Sequence, residues 1–196
     1  MRTVVLVPPS PDIEDLIARR HALGLDTHDE VWEGDYHMAP AAHAWHGLVD
    51  QQLAVLLDPL LRSAGLVGGG PFNLGGPGDF RVPDRGAFSA APSGVWVPTA
   101  ALVVEIESPE DETWDKLPFY AAHRVEEVLV VSPYRREVVW LRLAVSPAAG
   151  TLAGETGGYM RVERSGLLGV EAAGFAEAIE WPGAGCRRRP AAATSW

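Results

Sequence analysis

The chain is poor in cysteine, lysine and long hydrophobic runs. Its single cysteine, Cys186, excludes an internal disulfide framework, and the segment around it suits a catalytic thiol poorly. No apolar run approaches the roughly 20 residues that span a bilayer, and the N-terminal segment MRTVVLVPPSPD lacks the apolar core and cleavage site of a signal peptide. We therefore expect a cytoplasmic chain without a membrane segment.

Positive charge is also scarce. The 26 acidic residues outnumber the 16 lysines and arginines, and the formal net charge is −10. Because phosphate binding draws its affinity from clustered Lys and Arg, this balance argues against an open nucleic-acid surface. Lys116 is the only lysine in the chain. A GC-rich coding bias toward arginine can explain that rarity by itself, but the rarity makes the position easy to test.

What the chain does have is enough apolar residues for a real core. Of its 196 residues, 47% are hydrophobic, which suits one domain of ordinary size. We expect this domain to cover 1–181, with a disordered tail over 182–196. Within the domain we expect a helix over 11–23, a core over about 29–144 and a hairpin-like extension over 159–181.

The first half of the expected core contains a strand pair, a helix and a glycine-rich stretch. The pattern DEVWEGDYHMAP predicts two strands joined at a Gly34-Asp35 turn. Apolar residues three and four apart in HAWHGLVDQQLAVLL predict an amphipathic helix, His46 to Leu57. Asp58 and Pro59 then predict the N-cap and first turn of a second short helix. The Gly- and Pro-rich stretch 65–94 predicts short strands joined by turns.

The second half of the expected core alternates strands and a helix. We expect strands at Ala101 to Ile106, Glu127 to Ser132 and Glu137 to Ala144, with a helix at about Asp115 to His123 between the first two. A strand, a helix and a second strand in this order imply a right-handed crossover and a parallel strand pair.

Two carboxylates lie at or near strand ends, with 20 residues between them. Asp84 follows VP, and Glu105 follows the apolar residues LVV. If the two strands are neighbours, these oxygens converge and repel each other unless a proton or a cation lies between them. A magnesium ion held by one or two carboxylates and water is the usual solution. Asp84 can equally be a turn residue, whereas a carboxylate inside an apolar strand, like Glu105, is costly unless it is paired.

Lys116 begins the helix that follows this strand. Pro118 is tolerated in the first turn of a helix, which favours Asp115 as N-cap and Lys116 as the first helical residue. A lysine there faces the positive end of the helix dipole at a cost of roughly 0.3–1 kcal/mol. We therefore expect acidic partners nearby, and Glu105 and Glu107 are the candidates.

Six short motifs, taken in order, carry a resemblance to a known family. They are EGDYHMAP, HGLV, VPD, VVEIESP, DKLPFYAAH and EEVLVVSP. Together they resemble the large bacterial family of Uma-type "putative restriction endonucleases", within the PD-(D/E)xK nuclease superfamily, over roughly Asp29 to Leu143. The resemblance implies an α/β, restriction-endonuclease-like core with a mixed central β-sheet flanked by helices.

The resemblance also implies a set of site residues. They are Asp35 in a Gly-acid turn, His46 opening the long helix, Asp84 of the PD dipeptide, Glu105 of the VVE strand and Lys116 on the next helix. For His46, a surface or capping histidine is an equally good interpretation, although its spacing from the histidine three residues earlier is compatible with one metal.

The sequence departs from the family pattern in three places. The simplest superfamily pattern puts lysine where this chain has Glu107, so Lys116 must substitute from the helix. The turn is EGD rather than DGE, so Glu33 competes with Asp35 for the role of turn acid. The acids at 110–112 would repel DNA phosphates unless they face away from the site.

The function implied is hydrolysis of DNA phosphodiester bonds by a magnesium- or manganese-dependent endonuclease. Asp84 and Glu105 would hold the ion with the main-chain carbonyl of Ile106, and Lys116 would stabilise charge. His46 and Asp35 would support the site or a second ion, and a homodimer would suit cleavage of two strands. Two other classes fit the same residues: a catalytically inactive nuclease-fold interaction module, and a metal-dependent hydrolase of small phosphate esters.

Overall fold

The structure is a computed structural model that describes residues 3–6, 9–109, 112–144 and 157–183. Most of the expected tail, with Cys186, lies outside the described residues, as do Glu110 and Asp111. Within the described parts of the chain, no helix has the length and apolar character needed to cross a membrane.

The described chain forms two six-stranded mixed sheets and four α-helices. The strands are β1 (Thr3–Val5), β2 (Glu30–Trp32), β3 (Asp35–Met38), β4 (Val67–Gly69), β5 (Asn73–Gly76), β6 (Asp79–Arg81), β7 (Arg85–Phe88), β8 (Trp96–Val97), β9 (Leu102–Ile106), β10 (Glu127–Ser132), β11 (Glu137–Leu143) and β12 (Tyr159–Val162). The helices are α1 (Pro11–Ala22), α2 (Ala44–Ser63), α3 (Leu117–Ala122) and α4 (Ala172–Ala178), with a 3-10 turn at Thr113–Lys116.

The strand order in the first sheet is β1-β3-β2-β6-β5-β8, and in the second it is β12-β11-β10-β9-β7-β4. The predicted α/β class with a mixed sheet is therefore confirmed, although the strands divide into two sheets rather than one. The predicted parallel pair is also present, because β9 and β10 run parallel with Glu105 opposite Val130. Both strands are apolar nearly throughout, as expected when both faces of a sheet are covered.

The two faces of the second sheet pack against different partners. Alternate residues of β9 point to opposite sides, so Val104 packs with α2 and α4 while Val103 packs with α3. Glu105 shares the side of Val103. The carboxylate therefore faces α3, which places the candidate site at this side of the sheet.

Helix α2 corrects the expectation of a second helix beginning at Asp58. It runs unbroken from Ala44 to Ser63 with Pro59 inside it. Interior proline removes one hydrogen bond and costs about 3 kcal/mol. Packing outweighs that cost here, because Leu53, Leu57 and Leu61 continue one buried stripe on both sides of the proline.

Two turns differ from the expected positions. The β2–β3 hairpin turns at Glu33 and Gly34, one residue earlier than predicted, and both have positive φ (51° and 100°). Two positive φ values suit the twist of a two-residue hairpin, which explains the shift. Asp115 lies inside the 3-10 turn rather than capping a helix, so Lys116 is the N-cap residue of α3 and Pro118 lies in its first turn.

The segment 159–181 consists of a strand and a helix. Strand β12 pairs antiparallel with β11, and α4 packs on the same core as α2. Buried Glu127 anchors the loop between them: its carboxylate accepts hydrogen bonds from Ser165 Oγ at 2.6 Å and from the Gly166 N–H at 2.6 Å.

Candidate active site

Asp84 and Glu105 come together because their strands are neighbours. Strand β7 pairs antiparallel with β9, with Arg85 opposite Val104. Asp84, one residue before Arg85, therefore lies beside the C-terminal end of β9. The Ile106 N–H donates to Asp84 Oδ2 at 2.7 Å. This bond fixes the aspartate beside the strand that carries Glu105.

The main-chain carbonyl of Ile106 faces the same side as Asp84. In an extended strand, the N–H and C=O of one residue point toward the same neighbouring strand, and the Ile106 N–H points at Asp84. The next N–H, of Glu107, points the other way and bonds Val131 O at 2.9 Å. The chain therefore supplies two carboxylates and one carbonyl at this edge.

Glu105 is buried, with 3% of its surface exposed, and two side chains hold one of its oxygens. Lys116 Nζ lies 3.3 Å from Oε1, and the Tyr120 hydroxyl donates a short hydrogen bond to that same atom. Lys116 and Tyr120 are four residues apart, so they project from one side of the turn that opens α3. The hydrogen bonds that Glu105 accepts from described residues all go to Oε1.

Lys116 has a second acidic partner that the sequence reasoning missed. Glu30, on β2 of the first sheet, lies 2.9 Å from Lys116 Nζ through Oε1. The same oxygen accepts the Val82 N–H at 2.7 Å, and Oε2 accepts the Trp32 indole N–H at 2.7 Å. An acid inside the EVW strand was the available signal, because a carboxylate at an inward strand position requires a partner.

Burial and mutual repulsion determine the charge of this group. Burial raises the pKa of Glu105 to about 8; Lys116 opposes that rise, while Asp84 and Glu30 add to it. Burial acts to lower the pKa of Lys116, but the carboxylates of Glu105 and Glu30 outweigh it and the net shift is upward. Lys116 is therefore a permanent cation, whereas Glu105 titrates near neutral pH.

His46 lies in the site and bonds Asp84. His46 Nε2 lies 2.9 Å from Asp84 Oδ1, so the two oxygens of the aspartate bond a histidine and a strand N–H. His43 instead caps α2, because its Nδ1 accepts the Trp45 N–H at 3.2 Å. The first turn of α2 thus positions His46 over the carboxylates.

Comparison with known proteins identifies the family and the fold of the chain. A family model described as "Uma2: Putative restriction endonuclease" matches residues 17–156. The chain belongs to the Uma2 family. Among solved structures, it resembles a "putative nuclease belonging to DUF820" from Anabaena variabilis ATCC 29413, with a TM-score of 0.52 and 13% identity over 58% of this chain and 71% of that one. The search of curated proteins gave no significant match.

In this Uma2 chain the hairpin acid that reaches Lys116 is Glu30, not Asp35 or Glu33. Trp32 lies opposite Asp35, whereas Glu30 lies opposite His37, so Asp35 lies at the turn end of the hairpin and Glu30 at the other. Glu33 is exposed in the turn. The role of Asp35 in the site stays a prediction.

Glu107 is engaged outside the carboxylate cluster. Its Oε1 accepts the Trp114 indole N–H at 2.5 Å, and its Oε2 accepts Arg135 Nη2 at 2.6 Å. Glu112, one of the acids of the loop, lies 3.3 Å from His37 Nδ1. Both acids therefore have local partners.

The donor set fits a hydrated divalent cation of the magnesium type. Within the described ranges, no three His, Cys, Asp or Glu side chains are grouped closely enough to hold a metal by themselves. Magnesium, however, keeps several waters and needs only one or two carboxylates, and all the oxygens here are hard donors. When Glu30, Asp84 and Glu105 are ionised, Lys116 leaves two negative charges uncompensated, which a divalent ion would balance.

Proposed function

We propose that this Uma2 protein is a magnesium- or manganese-dependent nuclease that hydrolyses DNA phosphodiester bonds. The observation that carries the proposal is the buried cluster in which Lys116 lies between Glu30 and Glu105, with Asp84 beside them. Burying two carboxylates and an ammonium beside the half-buried Asp84 is costly for stability, and such an arrangement is typical of functional sites. The family match and the fold resemblance point to the same chemistry.

The size of the cleft favours a polymeric substrate over small phosphate esters. The cleft that Glu30, Asp84, Glu105 and Lys116 line has a volume of about 1320 Å³. Pockets for small ligands are typically about 300–1,000 Å³. A cleft of this volume suits a substrate larger than a small phosphate ester.

The site residues would have two roles: some would bind the cation, and Lys116 would stabilise negative charge on the phosphate. Asp84, Glu105 and the Ile106 carbonyl would hold the divalent cation, which would activate a water and stabilise charge on the phosphate. His46 and the Ile106 N–H orient Asp84. Lys116 places a fixed positive charge beside Glu105, where negative charge develops on the phosphate during attack.

Cleavage of supercoiled plasmid by the purified protein tests the proposal. We expect nicked and linear DNA with magnesium or manganese and intact DNA with EDTA. Glu105→Gln and Asp84→Asn should each slow cleavage at least about 100-fold, because each removes an anionic ligand of the proposed cation, and loss of an outer-shell partner alone costs about 10- to 100-fold. Calorimetry with manganese alone should show binding to the wild type and much weaker binding to both variants.

The matched control is Glu107→Gln. It removes an acid from the same strand end, but one bound to Trp114 and Arg135, so we expect near wild-type cleavage. Wild-type protein that cuts neither plasmid nor single-stranded DNA with magnesium or manganese, or cleavage by Glu105→Gln at the wild-type rate, would contradict the proposal. In that case the inactive interaction module becomes the better interpretation.

A further inference from the structure

An aromatic cluster lies at the rim of the cleft, apart from the carboxylates. It consists of His43, Trp45 and Tyr134, whose ring centroids are 5.3 to 5.8 Å apart. His43 is exposed, and Tyr134 is 41% exposed. His43 and Tyr134 therefore expose ring surface to solvent, whereas Trp45 is half-buried, with one part of its ring against Gly183.

Two elements place this cluster beside the carboxylates. His43 and Trp45 belong to the start of α2, whose His46 bonds Asp84. Tyr134 lies in the turn after β10, and because β10 runs parallel to β9, that turn follows the sheet edge where Glu105 and Glu107 emerge. A DNA strand bound at the carboxylates could therefore reach the aromatic cluster.

Positive charge accompanies the rings, although the chain as a whole is acidic. Arg135 and Arg136 follow Tyr134 in the same turn and are both exposed. Arg135 bonds Glu107 at 2.6 Å and Glu137 at 3.2 Å, which ties this turn to the end of β9, so the positive charge next to the rings comes mainly from Arg136. Aromatic faces next to arginines form the surface on which unpaired bases stack while the backbone follows the positive charge.

We propose that His43, Trp45 and Tyr134 stack an unpaired base next to the cleaved phosphate, so that the enzyme acts on single-stranded DNA in preference to intact duplex. In a duplex the bases are stacked on each other, and their faces are not available to a protein ring. A net charge of −10 also disfavours binding that depends on neutralising many duplex phosphates. The preference for single-stranded DNA as substrate rests on the proposed function, whereas the stacking site for an unpaired base does not.

The test measures binding of a labelled oligothymidine by anisotropy, with EDTA to stop any cleavage and again with calcium. We expect Trp45→Ala and Tyr134→Ala to weaken binding about 5- to 150-fold, the range for loss of one stacked base. Tyr134→Phe should bind like the wild type, because stacking needs the ring and not the hydroxyl. Wild-type protein should bind a duplex of the same length more weakly.

The matched control is Trp96→Ala. Trp96 has an exposed fraction of 37%, similar to the 41% of Tyr134. It lies elsewhere, on β8 of the first sheet, where its ring packs against Phe80. Its removal should leave oligothymidine binding unchanged. The proposal is overturned if Trp45→Ala and Tyr134→Ala bind like the wild type, or if the wild type binds no oligothymidine in either condition.

The outcomes separate this proposal from the nuclease function. Plasmid cleavage with unchanged binding by Trp45→Ala and Tyr134→Ala would keep the nuclease and reject the stacking site. If neither plasmid nor oligothymidine is cut with magnesium or manganese, while oligothymidine binding still depends on the rings, the nuclease is rejected and the stacking site is kept.

Discussion

At the scale of single residues, Glu105 is the group whose charge the surroundings control most strongly. It is buried near Asp84 and Glu30, which repel a second negative charge, and it is held by Lys116 and Tyr120, which favour one. Repulsion and burial together exceed attraction, since the net pKa rises to about 8. A divalent cation would reverse this balance, because it favours the ionised carboxylate over the protonated one.

This raised pKa predicts how stability changes with pH when no metal is present. The unfolded chain releases the Glu105 proton near the ordinary pKa of 4.5, whereas the folded chain keeps it up to about pH 8. Between these values the folded state binds more protons, so the free energy of unfolding falls as pH rises. We expect Glu105→Gln, which cannot titrate, to reduce this fall by up to about 1.4 kcal/mol for each pH unit.

Urea unfolding in EDTA at several pH values between 5 and 8.5 measures the difference between the two proteins. Equal slopes for the wild type and Glu105→Gln would show that Glu105 is ionised throughout this range.

At the scale of elements, the sequence predicted those strands and helices that a local pattern of residues determines. Strand β10 was predicted with its observed bounds and β9 within one residue, because both are runs of β-branched and apolar residues. In the first sheet, the hairpin of β2 and β3 was predicted from its turn residues, whereas strands such as β5 and β8 have only two to four residues, too few for a periodic signal. Helix α2 was predicted only in part, because Pro59 is a strong local stop signal and the packing that overrides it is tertiary.

The unbroken helix predicts different effects for two neighbouring substitutions. Pro59→Ala restores a hydrogen-bond donor inside α2 and should raise the free energy of unfolding by about 1–3 kcal/mol. Asp58→Ala removes only an exposed pair with Arg62 at 3.0 Å, so it should change that energy by less than about 0.5 kcal/mol. If Asp58 were an N-cap, its loss would cost about 1 kcal/mol.

Thermal and urea unfolding of both variants decide between the continuous helix and the restarted one. A loss of about 1 kcal/mol with Asp58→Ala, together with no gain from Pro59→Ala, would show that a new helix begins at Asp58.

At the scale of the whole molecule, the site joins the two sheets. Glu30 comes from the first sheet and Glu105 from the second, and Lys116 lies between them. Asp84, Glu105 and Lys116 were predicted as one site, and the structure brings them together. Glu30 could not be matched to Lys116 from sequence, because 86 residues and a sheet-to-sheet contact separate the two, and only the tertiary fold determines that pairing.

The junction predicts different roles for two adjacent buried acids. Asp29 is held within its own region by Arg20 at 2.8 Å and by Tyr36 at 2.6 Å, whereas Glu30 reaches Lys116. Asp29→Asn and Glu30→Gln should both lower the melting temperature, since each weakens a buried ionic contact. Only Glu30→Gln should weaken the response to magnesium, because it removes one negative charge from the site. It also leaves Glu105 as the remaining carboxylate partner of Lys116, so that Lys116 competes more strongly with the cation for Glu105.

Cleavage assays at pH 8.5, above the pKa of about 8 of Glu105, reduce the competition between the cation and that carboxyl's own proton. There we expect the magnesium concentration for half-maximal rate to rise about 5-fold with Glu30→Gln, which corresponds to about 1 kcal/mol, and to stay unchanged with Asp29→Asn. Because both variants lose stability, a shift that appeared in both would reflect general loosening of the first sheet. A shift confined to Glu30→Gln would instead place the cause in the ion pair that connects the sheets.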